Sequence, residues 1–226
     1  MHTRIEPGIL YFGTPVVLIG TTNEDGTPNL APISSAFWLG WRAVLGIAGA
    51  SQTTANLRRT GECVLNLPSD DLASMVDRLA LTTGSNPVPQ GKAERGYRYE
   101  KEKFGVAGFT AMASETVSAP RVRECLVQME ARMEAIHGLA EDDPAQAGQR
   151  FCIEVRIQRV HVDRAIRMDG HADRIDPDKW RPLIMSFQQF YGLGPKLGVS
   201  TLATVPEALY RGPDIDRARK VPALAA

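Results

Sequence analysis

Residues 43–67, AVLGIAGASQTTANLRRTGECVLNL, decide how this chain is read. Residues 43–50 form an apolar run of small side chains, the composition of a strand that another backbone or a flat ligand can approach closely. The run opens into Ser51, Gln52, Thr53 and Thr54, where Ser51, Thr53 and Thr54 each have the hydroxyl that caps a helix by accepting from its first amides. Residues 53–60 are helix-forming, and Gly61 stands where a left-handed terminating residue belongs. ECVLNL, residues 62–67, resumes as a strand. Free amides and the positive end of a helix dipole thus meet where side chains are small, which suits a phosphate. Plain capping explains the same hydroxyls, so the neighbouring sequence has to decide.

Upstream, PVVLIGTT at 15–22 is a β-branched apolar run, and Asp25-Gly26 supplies a tight hairpin turn. Residues 29–38, NLAPISSAFW, are the returning strand, with Pro32 confined to an edge, a bulge or a non-bonded position. Downstream, Ser69, Asp70 and Asp71 precede LASMVDRLAL, whose Leu72, Met75, Val76 and Leu79 recur at helical spacing. Residues 83–116 have no clear period and read as a loop or lid. VQMEARMEA at 127–135 alternates with period two although its residues favour helix, and the alternation marks a strand. The same alternation fills FCIEVRI at 151–157, then shifts by one to Val160 and Val162, which calls for a bulge near Gln158-Arg159. Residues 141–149 connect these two strands as a long hairpin. Asp176-Pro177 opens a short helix that Pro182 stops. This order predicts a mainly β, antiparallel barrel with a few peripheral helices.

Three blocks carry a resemblance: DGTPNLAPISSAF, TTANLRRTGECVLNLP, and VHVDRAIRMDGHADRIDPDKWRPLI. In their order and spacing they resemble the flavin-reductase-like, FMN-binding split β-barrel family, in its flavoredoxin-like branch. The resemblance implies one FMN-binding domain over residues 1–194, with 83–116 as a loop or lid insertion and 195–226 as an extension packed on or beside it. It implies a homodimer whose two subunits share the FMN cleft. Carried over by position, Asn29, Ser34, Ser35 and Ala36 would lie along the isoalloxazine, and Ser51, Gln52, Thr53 and Asn56 would surround the ribityl chain and phosphate. Thr53 would serve as both cap and ligand, whereas Asn29 equally suits a hairpin-closing role. Phe187, Tyr191 and Trp180 are aromatic candidates for stacking on a ring, or for core.

The implied activity is hydride transfer from NADH or NADPH to FMN, with electrons passed to a second flavin, a monooxygenase or another redox protein. Two departures bear on it. Many relatives have a basic residue just before the helix threonine, where this chain has Ser51 and Gln52, so the phosphate's counter-charge falls to Arg58, Arg59, the helix amides or a partner subunit. The G-D-H or G-N-H motif of the reductases is replaced by Gly148-Gln149-Arg150. An electron carrier that keeps FMN without using NAD(P)H, and a flavin-binding module without catalysis, therefore stay open.

Composition agrees. The chain has 226 residues, 43% apolar and 23% charged, a size for one domain. Its 26 basic residues match 26 acidic ones, which argues against nucleic acid as a partner. No run is long enough to span a membrane, and MHTRIEPGIL lacks a signal-peptide pattern, so cytoplasmic residence is expected. Cys63, Cys125 and Cys152 read as reduced core residues, the four histidines lack metal-binding spacing, and His161 and His171 read as surface or turn positions.

Overall fold

Neighbouring side chains of one strand feed two separate cores: Val17 and Ile19 enter the first, Leu18 the second, all of them fully buried. Alternate residues of a strand face opposite sides, so a strand covered on both faces reads as an unbroken apolar run. This is β1 (Val17–Thr22). The computed structural model describes residues 1–224. With β2 (Pro28–Ile33), β3 (Ala36–Leu39), β4 (Arg42–Ala48), β5 (Glu62–Leu67), β6 (Val127–Gly138) and β7 (Arg150–Val162), β1 makes a seven-stranded sheet in the order β2-β1-β5-β6-β7-β4-β3. Every pairing is antiparallel. Pro32 falls on β2, an edge strand.

Alternation prevails over helix propensity in β6, because both its edges are paired, to β5 and to β7. The expected bulge is present. Ile157 faces Ala131 and Arg159 faces Glu130, leaving Gln158 without a cross-strand partner. Helix α1 (Gln52–Thr60) buries Leu57 in the first core, worth about 1.5–3 kcal/mol for a side chain of this size. Gly61 ends it at φ 67°, its N–H bonded to the Leu57 carbonyl at 2.8 Å.

Three expectations are corrected. The helix expected through LASMVDRLAL is only α2 (Ala73–Asp77), preceded by a 3-10 turn at Asp70–Leu72. Successive tight turns, Leu79 N to Val76 O and Ala80 N to Asp77 O, then carry Leu79 into the second core. Residues 83–116 are packed rather than loose: α3 (Gln90–Ala93) and α4 (Lys103–Ala107) lie within them, and Phe104, Ala107 and Phe109 fill the second core beside Leu30 and Val76. Asp176-Pro177 opens a single turn closed by Trp180 N to Asp176 O, not a helix, since Pro182 follows too closely.

The C-terminal stretch is tied to the sheet by charge. In α5 (Pro213–Arg219), Asp214 accepts from Arg42 Nε at 2.8 Å, while Arg42 Nη1 bonds Glu154 at 2.5 Å. Arg159 of β7 donates to the carbonyls of Ala218 and Val221 at 2.6 and 2.5 Å.

His161 is not the surface residue expected. Its Nε2 lies 2.8 Å from the carboxylate of Glu130, which is fully buried and also receives the Glu115 and Thr116 amides and the Thr116 hydroxyl at 2.6–2.8 Å. Burial pushes this carboxyl up, but the hydrogen bonds from His161, Thr116 and the two amides prevail and hold it down at about 2.

Candidate functional site

The first turn of α1 is built from the side chains that begin it. Ser51 is extended, and its Oγ accepts from Thr54 N at 3.1 Å, while the Thr54 hydroxyl bonds the Ala48 carbonyl at 2.8 Å. Ser51 is therefore the cap, and the expectation that Thr53 serves as cap is corrected. The amides of Gln52 and Thr53 lie in the first turn, where no intrahelical acceptor exists.

Thr53 turns the other way because α1 lies across β1 and β2. Its hydroxyl, 2% exposed, accepts from Asn29 Nδ2 at 3.2 Å. Asn29 also donates to Thr21 at 3.1 Å, and Asn56 donates to Thr21 and Asn23 at 3.0 and 2.9 Å while accepting from Gln52 Nε2 at 3.0 Å. Both amide hydrogens of each asparagine are thus engaged within the protein, as buried polar groups require. Asn29, Thr53 and Asn56 hold the turn in place, and Ser51 and Gln52 are its more accessible members.

Residues 82–85 run close over this turn. A Cβ on Gly84 would sit 2.6 Å from Asn29 Oδ1 and 3.1 Å from Gln52 Cβ, so only glycine permits the approach. Ser85 Oγ bonds the Ala50 carbonyl at 3.2 Å. The two preceding threonines each meet a lysine: Lys103 Nζ donates to Thr82 Oγ1 at 2.7 Å and Lys92 Nζ to Thr83 Oγ1 at 3.1 Å. Lys103 is 3% exposed. Burial first, then the neighbouring Lys92, lowers its ammonium to about 8; burial and Arg95 lower Lys92 as well. Among the described residues no carboxylate lies within ion-pair distance of either. These lysines were not among the residues singled out from the sequence, since they sit in the aperiodic 83–116 segment. The only sequence signal is that Lys103 directly precedes a core phenylalanine, Phe104.

The remaining predicted residues are elsewhere. Ser34 and Ser35 form the bend from β2 to β3, Ala36 begins β3, and Ser34 is five residues beyond Asn29, roughly 17 Å along an extended chain. Ser34 lines a cavity of about 150 Å³ with Met185 and Phe190. The Ser35 carbonyl accepts from Gly46 N at 2.7 Å, and Ala36 is a core residue, 7% exposed. Arg59 is engaged by the Thr22 carbonyl, and Arg58 stacks 4.5 Å from the Phe151 ring. Trp180 packs on the first core; Phe187 and Tyr191 are exposed, Phe187 edge-on to Phe12 at 4.9 Å.

A family model described as the flavin reductase like domain matches residues 9–194. The chain belongs to this family. The uncharacterized protein YdfE of Bacillus subtilis is 39% identical over 195 residues, covering 86% of this chain and 91% of the relative. Among solved structures, flavoredoxin of Desulfovibrio vulgaris superposes with a TM-score of 0.71 at 22% identity, covering 90% of this chain and 99% of that one. A protein with a split barrel domain from Shewanella frigidimarina superposes at 0.62 and 21% identity, covering 83% and 85%. The flavin reductase like domain of this chain therefore has the split-barrel fold of those structures. The matched region ends at Gly194, and α5 lies beyond it.

Proposed function

We propose that this flavin reductase like protein holds FMN at the N-terminus of α1 and passes reducing equivalents through it, taking hydride from NADH or NADPH. The observation that carries the reading is the pair of ammonium groups, buried Lys103 and half-buried Lys92, held on Thr82 and Thr83 beside the Gly84 that runs against the first turn of α1. A buried ammonium whose hydrogen-bond partner is a hydroxyl, beside a half-buried one that has a hydroxyl and the Tyr97 ring 5.7 Å away, is costly unless an anion arrives. The open amides of Gln52 and Thr53 and the Ser51 hydroxyl are donors suited to a phosphate. The donor set therefore fits FMN.

Bound FMN would supply the hydride chemistry, and the chain's own residues bind and orient. Lys92, Lys103 and the helix amides would meet the phosphate, Ser51 and Gln52 the phosphate and ribityl end, and Ser34 and Ser35 the ring. Asn29, Thr53 and Asn56 would keep the first turn rigid, and Ala36 would offer backbone only. No side chain is asked to act as general acid or base.

The reading includes a homodimer in the cytoplasm. Phe37 and Leu39 are 54% and 75% exposed on edge strand β3, an unpaired apolar edge of the kind a second copy covers.

Arg150 favours a second reading, an electron carrier indifferent to NAD(P)H. It stands where reductases of the family have a histidine, and it is hydrogen-bonded to Gln146. Anaerobic mixing of the FMN-loaded protein with NADH and then NADPH decides. Rapid bleaching of the flavin's visible absorbance is expected of the reductase. Indifference to both donors would leave the carrier, and failure to retain FMN would overturn both.

A further inference from the structure

At the other end of β4 from Ser51, roughly 20 Å away along the strand, a cavity of about 710 Å³ opens between β7, residues 167–175 and α5. That is the size of a small-molecule site. Five arginines line it, Arg159, Arg167, Arg174, Arg211 and Arg219, against one acid, Asp173.

Their charges are unequally met. Arg159 is spent on carbonyls and on Glu115 at 3.4 Å, Arg174 is ion-paired with Glu207 at 2.9 Å, and Arg211 is paired with Asp216. Arg167 donates to the Ala172 carbonyl at 2.7 Å, and among the described residues neither Arg167 nor Arg219 has a carboxylate within ion-pair distance. Forked guanidinium donors without a carboxylate suit a phosphate.

The floor differs in chemistry. Trp41 and Val162 supply apolar surface, and Gln158, the bulge residue of β7, lines the same cavity. Gln158 is 3% exposed, and its Oε1 is buried without a hydrogen-bond donor. A buried carbonyl oxygen left unpaired costs about 1–3 kcal/mol, which a ligand N–H would recover.

We propose that this cavity binds a mononucleotide-class anion, its phosphate at Arg167 and Arg219 and its amino-bearing flat ring against Trp41 and Gln158. The site is separate from the α1 cradle, and the proposal does not rest on FMN occupying that cradle. Aromatic and guanidinium faces both favour a flat ring, and neither phosphate nor ring alone satisfies every group that lines the cavity.

The test is calorimetric titration of AMP into the full chain, with and without saturating FMN, using adenosine and inorganic phosphate as part-ligands. One AMP per chain is expected, bound more tightly than either part-ligand. Arg219→Ala, and Arg167→Ala with Arg219→Ala, should weaken AMP by about tenfold or more, with circular dichroism and FMN absorbance unchanged. Arg219→Ala alone keeps the test valid if the double variant fails to fold. No heat with AMP at about 1 mM, equal affinity in Arg219→Ala, phosphate binding as tightly as AMP, or AMP displacing FMN would each overturn the proposal.

Discussion

The side-chain amide of Asn29 donates to the Thr53 hydroxyl at 3.2 Å, and that bond ties edge strand β2 to the first turn of α1. Neither residue is more than 2% exposed, so neither partner has water to fall back on. Asn29→Ala should cost about 1–3 kcal/mol, because it strands the Thr53 hydroxyl in the interior and leaves Thr21 with the Asn56 bond alone. Urea unfolding measures this; a change within about 0.5 kcal/mol would mean the network contributes nothing.

Lys103 sets a pH dependence. Its ammonium, lowered to about 8 by burial, is charged in the free protein below that pH and neutral above it. If it meets the FMN phosphate, flavin affinity is highest below about 8 and falls as pH rises through that value. Fluorescence titration of FMN at a series of pH values reads it. Lys103→Met should weaken FMN and flatten the profile.

The same lysine should act oppositely on stability. Its folded value lies below the ordinary 10.5, so its unfavourable contribution is full below about 8 and fades as pH rises towards 10.5. Lys103→Met should therefore raise the melting temperature at neutral pH while weakening FMN. A melting temperature that falls instead would show that Lys103 is not under strain from burial.

Glu130 predicts acid sensitivity of the opposite sign. Its folded value, about 2, lies below the ordinary 4.5, so its contribution is complete above about 4.5 and is lost as pH falls towards 2. Glu130→Gln should lose about 2 kcal/mol at neutral pH, from charge-assisted bonds to His161 and Thr116, and should show a shallower loss in acid. Melts from pH 7 down to about 3 compare the two.

The exposed β3 edge gives a prediction about assembly. Phe37→Glu with Leu39→Glu should convert a dimer to a monomer in sedimentation and weaken FMN in parallel. A wild-type chain that sediments as a monomer would remove the dimer from the reading.

Local rules carried far in this chain. The switch of parity from Ile157 to Val160 was enough to place the bulge, because period two leaves no other way to turn the apolar face. Ser51, Gly61 and the Asp25-Gly26 turn were legible for the same reason, each following from chain geometry within four residues. Lys92, Lys103 and His161 were not. Whether a polar side chain is buried depends on what folds over it, and nothing adjacent to His161 announces Glu130, thirty-one residues away, as its partner. Helix length failed at residues 78–81 because the second core, not propensity, decides where Leu79 goes.

Gln158 is the β7 residue without a partner on β6 and also the one whose buried amide oxygen, in the lining of the arginine-rich cavity, has no donor. Removing it would leave Ile157 and Arg159 opposite Ala131 and Glu130, make the ladder regular at that point and keep Arg159, Val160 and His161 on their present faces. A one-residue deletion at this point would therefore take the buried amide oxygen out of the cavity while leaving the faces of the flanking β7 residues as they are. Relatives that differ in length at this one position would be expected to differ in whether the cavity has that acceptor, however similar the rest of their sequence.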